Sequence, residues 1–209
     1  MTNKIQEANL AMVVSKTFSG LNVNALRYLL PLWIAPLTGV TFRCVFAAVA
    51  FWIIGYWAKP ETASVKDKIY LFLLGAVGIY GYMFSYLMGL SKTTPVSAAI
   101  FTSMQPIWVF ILSVFFFNEK ATVMKIVGIL VGLGGALLCI STQKSDDLAS
   151  DAFSGNLFCL VSSVIYAVYL ILSNRFLKRT GPYTLMRYTF SGAAVSSLIV
   201  MALLDMRRL

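Results

Sequence analysis

Apolar residues in this chain come in blocks of about 20, divided by short polar or charged segments, and a helix of about that length crosses the hydrocarbon core of a bilayer. Seven such blocks can be drawn, over residues 8–30, 37–57, 69–90, 96–117, 123–140, 156–177 and 185–204. The composition is 59% hydrophobic and 12% charged, against about a quarter charged in a soluble domain. The pattern predicts an all-α polytopic membrane protein of seven transmembrane helices. The first block is the most interrupted, by Ser15, Lys16, Thr17, Ser19, Asn22 and Asn24. That polarity argues against a cleaved signal sequence, so the block reads as a retained span.

A net charge of +9 raises the question of nucleic acid, which the distribution of the charge answers. If the spans alternate, Lys4, Lys59, Lys66, Lys68, Lys120, Lys125, Arg175, Lys178 and Arg179 share one side of the membrane. The other side holds Lys92, Lys144, the Arg207–Arg208 tail and the acidic loop TQKSDDLASDAFSG. This bias is the positive-inside pattern and predicts a cytoplasmic N-terminus in the cell membrane. No basic segment is interleaved with aromatics as a strand-binding groove requires, so no nucleic-acid partner is expected.

Cys44, Cys139 and Cys159 lie inside apolar blocks without metal spacing, and the chain has no histidine. That removes Ser-His and Cys-His chemistry and most metal sites. Neither an enzyme, a metal site nor a cofactor is expected. A retinal protein is disfavoured as well, because the last span carries Arg187 but no lysine.

The polar residues within the spans are ordered. At about 100° per residue, Ala98, Thr102, Gln105, Pro106, Val109 and Ser113 of the fourth span fall on one stripe. Pro106 lacks an N–H and crowds the Thr102 carbonyl, which predicts a freed carbonyl or a kink. The freed group faces either a neighbouring helix or a polar cavity. Similar stripes run through Cys159, Ser162, Tyr166, Tyr169 and Ser173 in the sixth span and through Gly78, Tyr82, Ser85 and Gly89 in the third. In the first span Ser15, Ser19 and Asn22 lie one above another with Lys16 at their edge. Close helix packing through small residues accounts for most of the glycines but not for Lys16.

A cation near the bilayer centre is costly and marks a pathway or a partner. Lys16 sits about half-way across and Arg43 about a third of the way in, with no carboxylate inside any span to neutralise them. Arg27 and Arg187 lie nearer the span ends and read as snorkelling to the interface. A cavity with this balance favours an anionic or zwitterionic solute. The expected pathway residues are Ser15, Lys16, Ser19, Asn22, Arg43, Tyr82, Thr102, Gln105, Pro106 and Tyr166. In the fifth span, IVGILVGLGGALLCI sets Gly128, Gly132 and Gly135 along one flat face for helix packing, within the subunit or between subunits.

The segment PVSAAIFTSMQPIWVFILSVFFFNEKATVMKIVGILVGLGGALL, with Pro106 at mid-span, Glu119 closing the span and glycines from Gly128, closely resembles the fourth and fifth spans of EamA-type permeases of the drug/metabolite transporter superfamily. YLMGLSKTTPVSAA resembles the junction before them, and Arg43 in GVTFRCVFAAVAF matches an arginine usual in the second span. The resemblance implies an alternating-access transporter of small organic solutes, amino-acid-like or other metabolites, built from two inverted five-helix repeats. It divides the chain into a first repeat over 1–141, a polar extracytoplasmic loop over 142–155 and two helices of a second repeat over 156–209. NALRYLLPLWIAPLTGVTFR resembles SNRFLKRTGPYTLMR, a trace of the duplication. The resemblance also implies three further helices after the LLDMRRL tail, and a shortened chain is expected to cover its polar stripes by homo-oligomerisation. The alternative is a non-transporting membrane interaction subunit that packs through the Gly128/Gly132 face.

Overall fold

A computed structural model describes residues 2–30, 33–58, 61–117, 122–141 and 151–205. Its elements are α1 (Thr2–Leu29), α2 (Pro36–Trp57), α3 (Val65–Leu74), a π-helical turn (Gly75–Ile79), α4 (Tyr80–Lys92), α5 (Pro95–Ser103), α6 (Gln105–Phe117), α7 (Val123–Ser141), α8 (Ala152–Thr180) and α9 (Pro182–Asp205). With α3, the π turn and α4 forming one rod, and α5 and α6 another, the seven expected spans are seven helical rods. The expectations that rest on Lys59, Glu119, Lys120, Lys144, Arg207 and Arg208, and on most of the 142–155 loop, lie outside the described residues.

Among the described residues, five helical stretches are long and apolar enough to cross a membrane: Pro36–Trp57, Val65–Lys92, Pro95–Phe116, Ala152–Thr180 and Pro182–Leu204. The apolar part of α7, Val123–Gly135, is shorter. The polar residues of α1 keep that helix out of the five. Their outer faces carry Phe42, Phe46, Trp57, Ile69 and Leu73, all more than half exposed. An apolar surface of that extent is suited to hydrocarbon and not to water.

Local chemistry sets several helix boundaries. Pro36, Pro95 and Pro182 open their helices at the position where a missing N–H costs nothing. Thr94 and Asp151 accept hydrogen bonds from the backbone N–H groups of Ser97 and Ser154, at 3.1 Å each. The Asp151 carboxyl is held below its ordinary pKa by the Ser154 hydroxyl and then by the Ser154 N–H. The N-terminus of α9 is capped from a distance, since the Glu61 carboxylate accepts from the N–H groups of Tyr183 at 3.3 Å and Thr184 at 2.6 Å. Gly181, at φ 83°, brings the chain up against that carboxylate, where a side chain would collide.

The fourth span is interrupted as its proline predicts. Met104 adopts φ −77° and ψ −9°, its N–H bonds the carbonyls of Ile100 and Phe101 at 3.2 Å each, and the helix restarts with Ile107 donating to Met104. The break falls two residues before Pro106, where the missing N–H leaves the Thr102 carbonyl without its helical donor.

Two crossings hold the bundle together. In the first, α4 packs against α8, with Gly89 against Cys159 and the Gly155 carbonyl, and Gly155 against Thr93. In the second, α9 packs against α2, α3 and the π turn. There Gly75 meets the backbone of Thr189, and Gly192 meets the Phe72 carbonyl. Val40, Cys44, Ile79, Met83, Leu87, Leu90, Cys159 and Ala193 form the core between these crossings. The last two helices are therefore interleaved with α2, α3 and α4, and α8 lies over the Gly78–Tyr82 stripe of the third span.

Two cations do not snorkel as their sequence positions led us to expect. Arg27 is 8% exposed and its Nη1 donates to the carbonyls of Leu90 and Ser91 at 3.1 Å each. It caps the C-terminal end of α4, where carbonyls lack helical partners and the dipole favours a cation. Arg187 is half-buried, donates to the Gly55 carbonyl at 3.1 Å and lies 5.1 Å over the Trp52 ring. The α2–α9 packing supplies that carbonyl and that ring, and nothing in the local sequence announced either.

Candidate functional site

A cavity of about 250 Å³ lies where the first four spans converge. Lys16, Ser19, Gly20, Asn22 and Val23 of α1 line one wall, and Ala99, Thr102 and Ser103 of α5 line another. Arg43 of α2 and Tyr82 and Tyr86 of α4 complete it. The helical repeat explains the grouping within each element: Lys16, Ser19, Gly20 and Val23 recur at three and four residues, as do Ala99, Thr102 and Ser103.

The chemistry of the lining is one-sided. Two cations, Lys16 and Arg43, meet hydroxyl groups and tyrosine rings, and no carboxylate is among the lining residues. The Nη1 of Arg43 is shielded from solvent and has no hydrogen-bond partner among the described residues. A guanidinium carries only donors, so an acceptor oxygen, of a carboxylate or a carbonyl, is the group that completes it. The Thr102 hydroxyl donates to the Ala98 carbonyl at 2.8 Å, and the Ser103 hydroxyl donates to the Ala99 and Ile100 carbonyls at 2.9 Å each. Their protons being engaged along the helix, these two oxygens offer the cavity acceptor lone pairs.

Behind the lining lies an aromatic layer. Tyr82 packs on Tyr166 of α8 with ring centroids 4.6 Å apart and on Tyr86 at 6.1 Å, and Tyr166 continues to Tyr169 at 5.9 Å. The Tyr82 hydroxyl meets the Gln105 side chain and the Tyr86 hydroxyl meets Thr102. Helix α8 thus reaches the cavity through Tyr166, one ring removed.

Of the expected pathway residues, Lys16, Ser19, Asn22, Arg43, Tyr82 and Thr102 come together at this cavity, with Gln105 and Tyr166 directly behind Tyr82. Ser15 is exposed on α1, one turn from Ser19, and is not in the lining. Pro106 is exposed and borders a separate groove with Ile107, Phe110, Lys125, Gly128 and Ile129. Tyr86 was missed, although its spacing of four from Tyr82 puts it on the same face. Of the three glycines assigned to packing, a Cβ added at Gly132 would lie 3.7 Å from the Ile107 side chain, while one at Gly128 or Gly135 would meet nothing within 4 Å among the described residues.

Comparison with known proteins agrees with this architecture. Residues 6–141 match the EamA-like transporter family, which is more than half of the chain. The uncharacterized transporter YyaM of Bacillus subtilis is 27% identical over 186 residues, covering 88% of this chain and 61% of that protein. An uncharacterized transporter of Archaeoglobus fulgidus is 26% identical, covering 84% of this chain and 60% of its own length. The aromatic amino acid exporter YddG of Ancylobacter novellus is 26% identical over 125 residues, covering 59% of this chain and 43% of that protein. The chain thus spans about 60% of the length of the first two relatives. One crystal structure superposes with a TM-score of 0.56 at 20% identity, covering 90% of this chain and 67% of that one, which establishes the likeness of fold. A multi-pass helical membrane protein with these matches belongs to the EamA-like transporter family.

Proposed function

We propose that this chain carries the first repeat and the beginning of the second of a permease for small organic anions and zwitterions, operating by alternating access. The observation that carries the reading is the buried Arg43 Nη1, without a partner among the described residues, in a cavity whose described lining also holds Lys16 and no carboxylate. A carboxylate-bearing solute satisfies both cations, and the wall of Tyr82, Tyr86 and Tyr166 offers ring faces to an apolar side chain. At about 250 Å³ the cavity falls just below the range of roughly 300–1,000 Å³ that holds drug-sized ligands, which suits a metabolite of amino-acid size. Aromatic amino acids are the first solutes to test, since a relative is named as their exporter. On the positive-inside distribution the N-terminus is cytoplasmic.

The test is flux of labelled phenylalanine, tyrosine, tryptophan and non-aromatic amino acids through membranes containing the chain, and through a longer relative carrying the corresponding substitutions. Lys16→Met and Gln105→Leu are each expected to lower flux at least about tenfold, the loss of one charge-assisted or buried hydrogen bond. Flux unchanged by both substitutions would remove the cavity from the route.

A second reading rests on the open glycines of α7. If Gly128 and Gly135 seat a partner helix, the chain acts as a non-transporting interaction subunit. Gly128→Leu then abolishes association in a membrane pull-down and leaves the Lys16 and Gln105 variants without effect on any flux.

A further inference from the structure

A second cavity, of about 400 Å³, opens far from the first, between the start of α3 and the end of α8, lined by Lys66, Asp67, Tyr70, Arg175, Phe176 and Arg179. Its rim holds three cations and one carboxylate. Asp67, 5% exposed, binds the Arg179 guanidinium at 2.9 Å and so fixes its orientation. Lys66 and Arg175 form no ion pair among the described residues, and both are exposed. The rim therefore keeps a surplus of positive charge after its internal pair is counted. Beneath it Tyr70 and Phe176 stack with centroids 4.6 Å apart, closing the floor.

The same helix faces continue toward the hydrocarbon with a change of character. At three- and four-residue spacing, Lys66 and Tyr70 are followed by Leu73, which is 57% exposed, and Arg179 and Arg175 are preceded by Leu172, which is 39% exposed. Along one groove the order is cation, aromatic ring, exposed aliphatic side chain. That is the order of a phospholipid read from phosphate to acyl chain. A soluble phosphate would use the rim and leave the aliphatic strip without purpose.

We infer that this groove binds the phosphodiester headgroup of an anionic phospholipid, with Lys66 and Arg175 contacting the phosphate, Arg179 held in place by Asp67, and an acyl chain lying along Leu73 and Leu172. Basic pockets between transmembrane helices at the membrane surface recognise anionic headgroups in this way. The bound lipid joins α3 of the first repeat to α8 of the second.

Native mass spectrometry of the detergent-solubilised chain, offered equal amounts of phosphatidylglycerol and phosphatidylcholine, tests the inference. The unaltered chain is expected to retain phosphatidylglycerol preferentially. K66Q/R175Q is expected to lower that retention about 30-fold, the equivalent of about 1 kcal/mol for each cation removed. K68Q neutralises a cation at the same end that lies over the Tyr188 ring, 5.8 Å from its centroid and outside the groove, and should leave retention within about twofold. All variants change exposed or half-exposed side chains, and circular dichroism with thermal unfolding in phosphatidylcholine micelles verifies that each is folded. Equal retention of the two lipids, or a loss with K68Q as large as with K66Q/R175Q, overturns the site in favour of diffuse charge attraction. Displacement of phosphatidylglycerol by excess glycerol 3-phosphate, with the same dependence on Lys66 and Arg175, overturns the lipid assignment in favour of a soluble phosphate.

Discussion

Arg27 and Arg187 are cations set within membrane-length helices, and each donates from one guanidinium nitrogen to backbone carbonyls of another helix. Arg27→Met should cost about 2–3 kcal/mol, because two charge-assisted bonds are lost and the end of α4 keeps its carbonyls buried. The measurement is unfolding in mixed micelles, and an unchanged midpoint would mean that those carbonyls find other donors. Asp151 offers a pH-dependent counterpart. Its carboxyl pKa is depressed by Ser154, hydroxyl first and backbone N–H second, so the cap contributes above the ordinary carboxylate range and is lost as pH falls through the depressed value. Protection of the Ser154 amide from hydrogen exchange should fade over that acid range in the native chain and be absent throughout in Asp151→Ala. Residues of these two kinds differ in how far the sequence reveals them. Asp151 sits just before a helix and reads as a cap, whereas Arg27, Glu61 and Arg187 depend on partners 63, 122 and 132 positions away, and no local pattern encodes those pairings.

Among the helices, the glycines that bring backbones together are Gly75, Gly89, Gly155 and Gly192. Gly192→Leu should disrupt the α3–α9 crossing, since even a first carbon there overlaps the Phe72 carbonyl. Overpacking of a close contact costs about 1–3 kcal/mol or more. Gly128→Leu, on the open face of α7, should leave the unfolding midpoint of the chain unchanged. A comparison of the two variants by thermal unfolding separates glycines that pack within the subunit from those that do not. The sequence displayed Gly128, Gly132 and Gly135 most plainly, because they recur inside an otherwise aliphatic helix. The glycines that close the crossings stand in four separate stretches of sequence, and only the meeting of two distant helices gives them their role. Periodicity alone set Ser15, Ser19 and Asn22 beside Lys16 on α1 and placed Tyr82 in a separate stripe; Lys16, Ser19, Asn22 and Tyr82 line one cavity and Ser15 does not.

For the molecule as a whole, the blocks of apolar residues sufficed to draw seven helices, because length and hydropathy are local properties. The interleaving of α8 and α9 with α2, α3 and α4 was not legible, being a matter of which faces meet. Orientation can be checked by thiol labelling of single cysteines placed at positions 62 and 146. The positive-inside distribution predicts that the second is reached from outside and the first only after permeabilisation; the reverse would invert the topology. The π-helical turn at Gly75–Ile79 couples the two halves of this organisation. Before it Leu71 faces inward and at its start Gly75 meets α9; Gly78 within it and Tyr82 and Tyr86 after it turn to α8 and the cavity. A wide turn holds one residue more than an α-helical turn, so it sets the angular phase between the two stretches. Val77 lies in that turn with 75% of its surface exposed, and Val77→Ala should pass unnoticed in folding and flux. Deleting Val77 should let the turn close to α-helical width with the phase beyond it nearly kept, whereas one more residue inserted beside Val77 would rotate everything beyond it by about 100°, carrying Tyr82 and Tyr86 off the cavity while the helix content measured by circular dichroism stays the same. Added length is therefore forbidden at a position where the side chain is free to change, and the rod keeps count of its residues where its outward chemistry matters least.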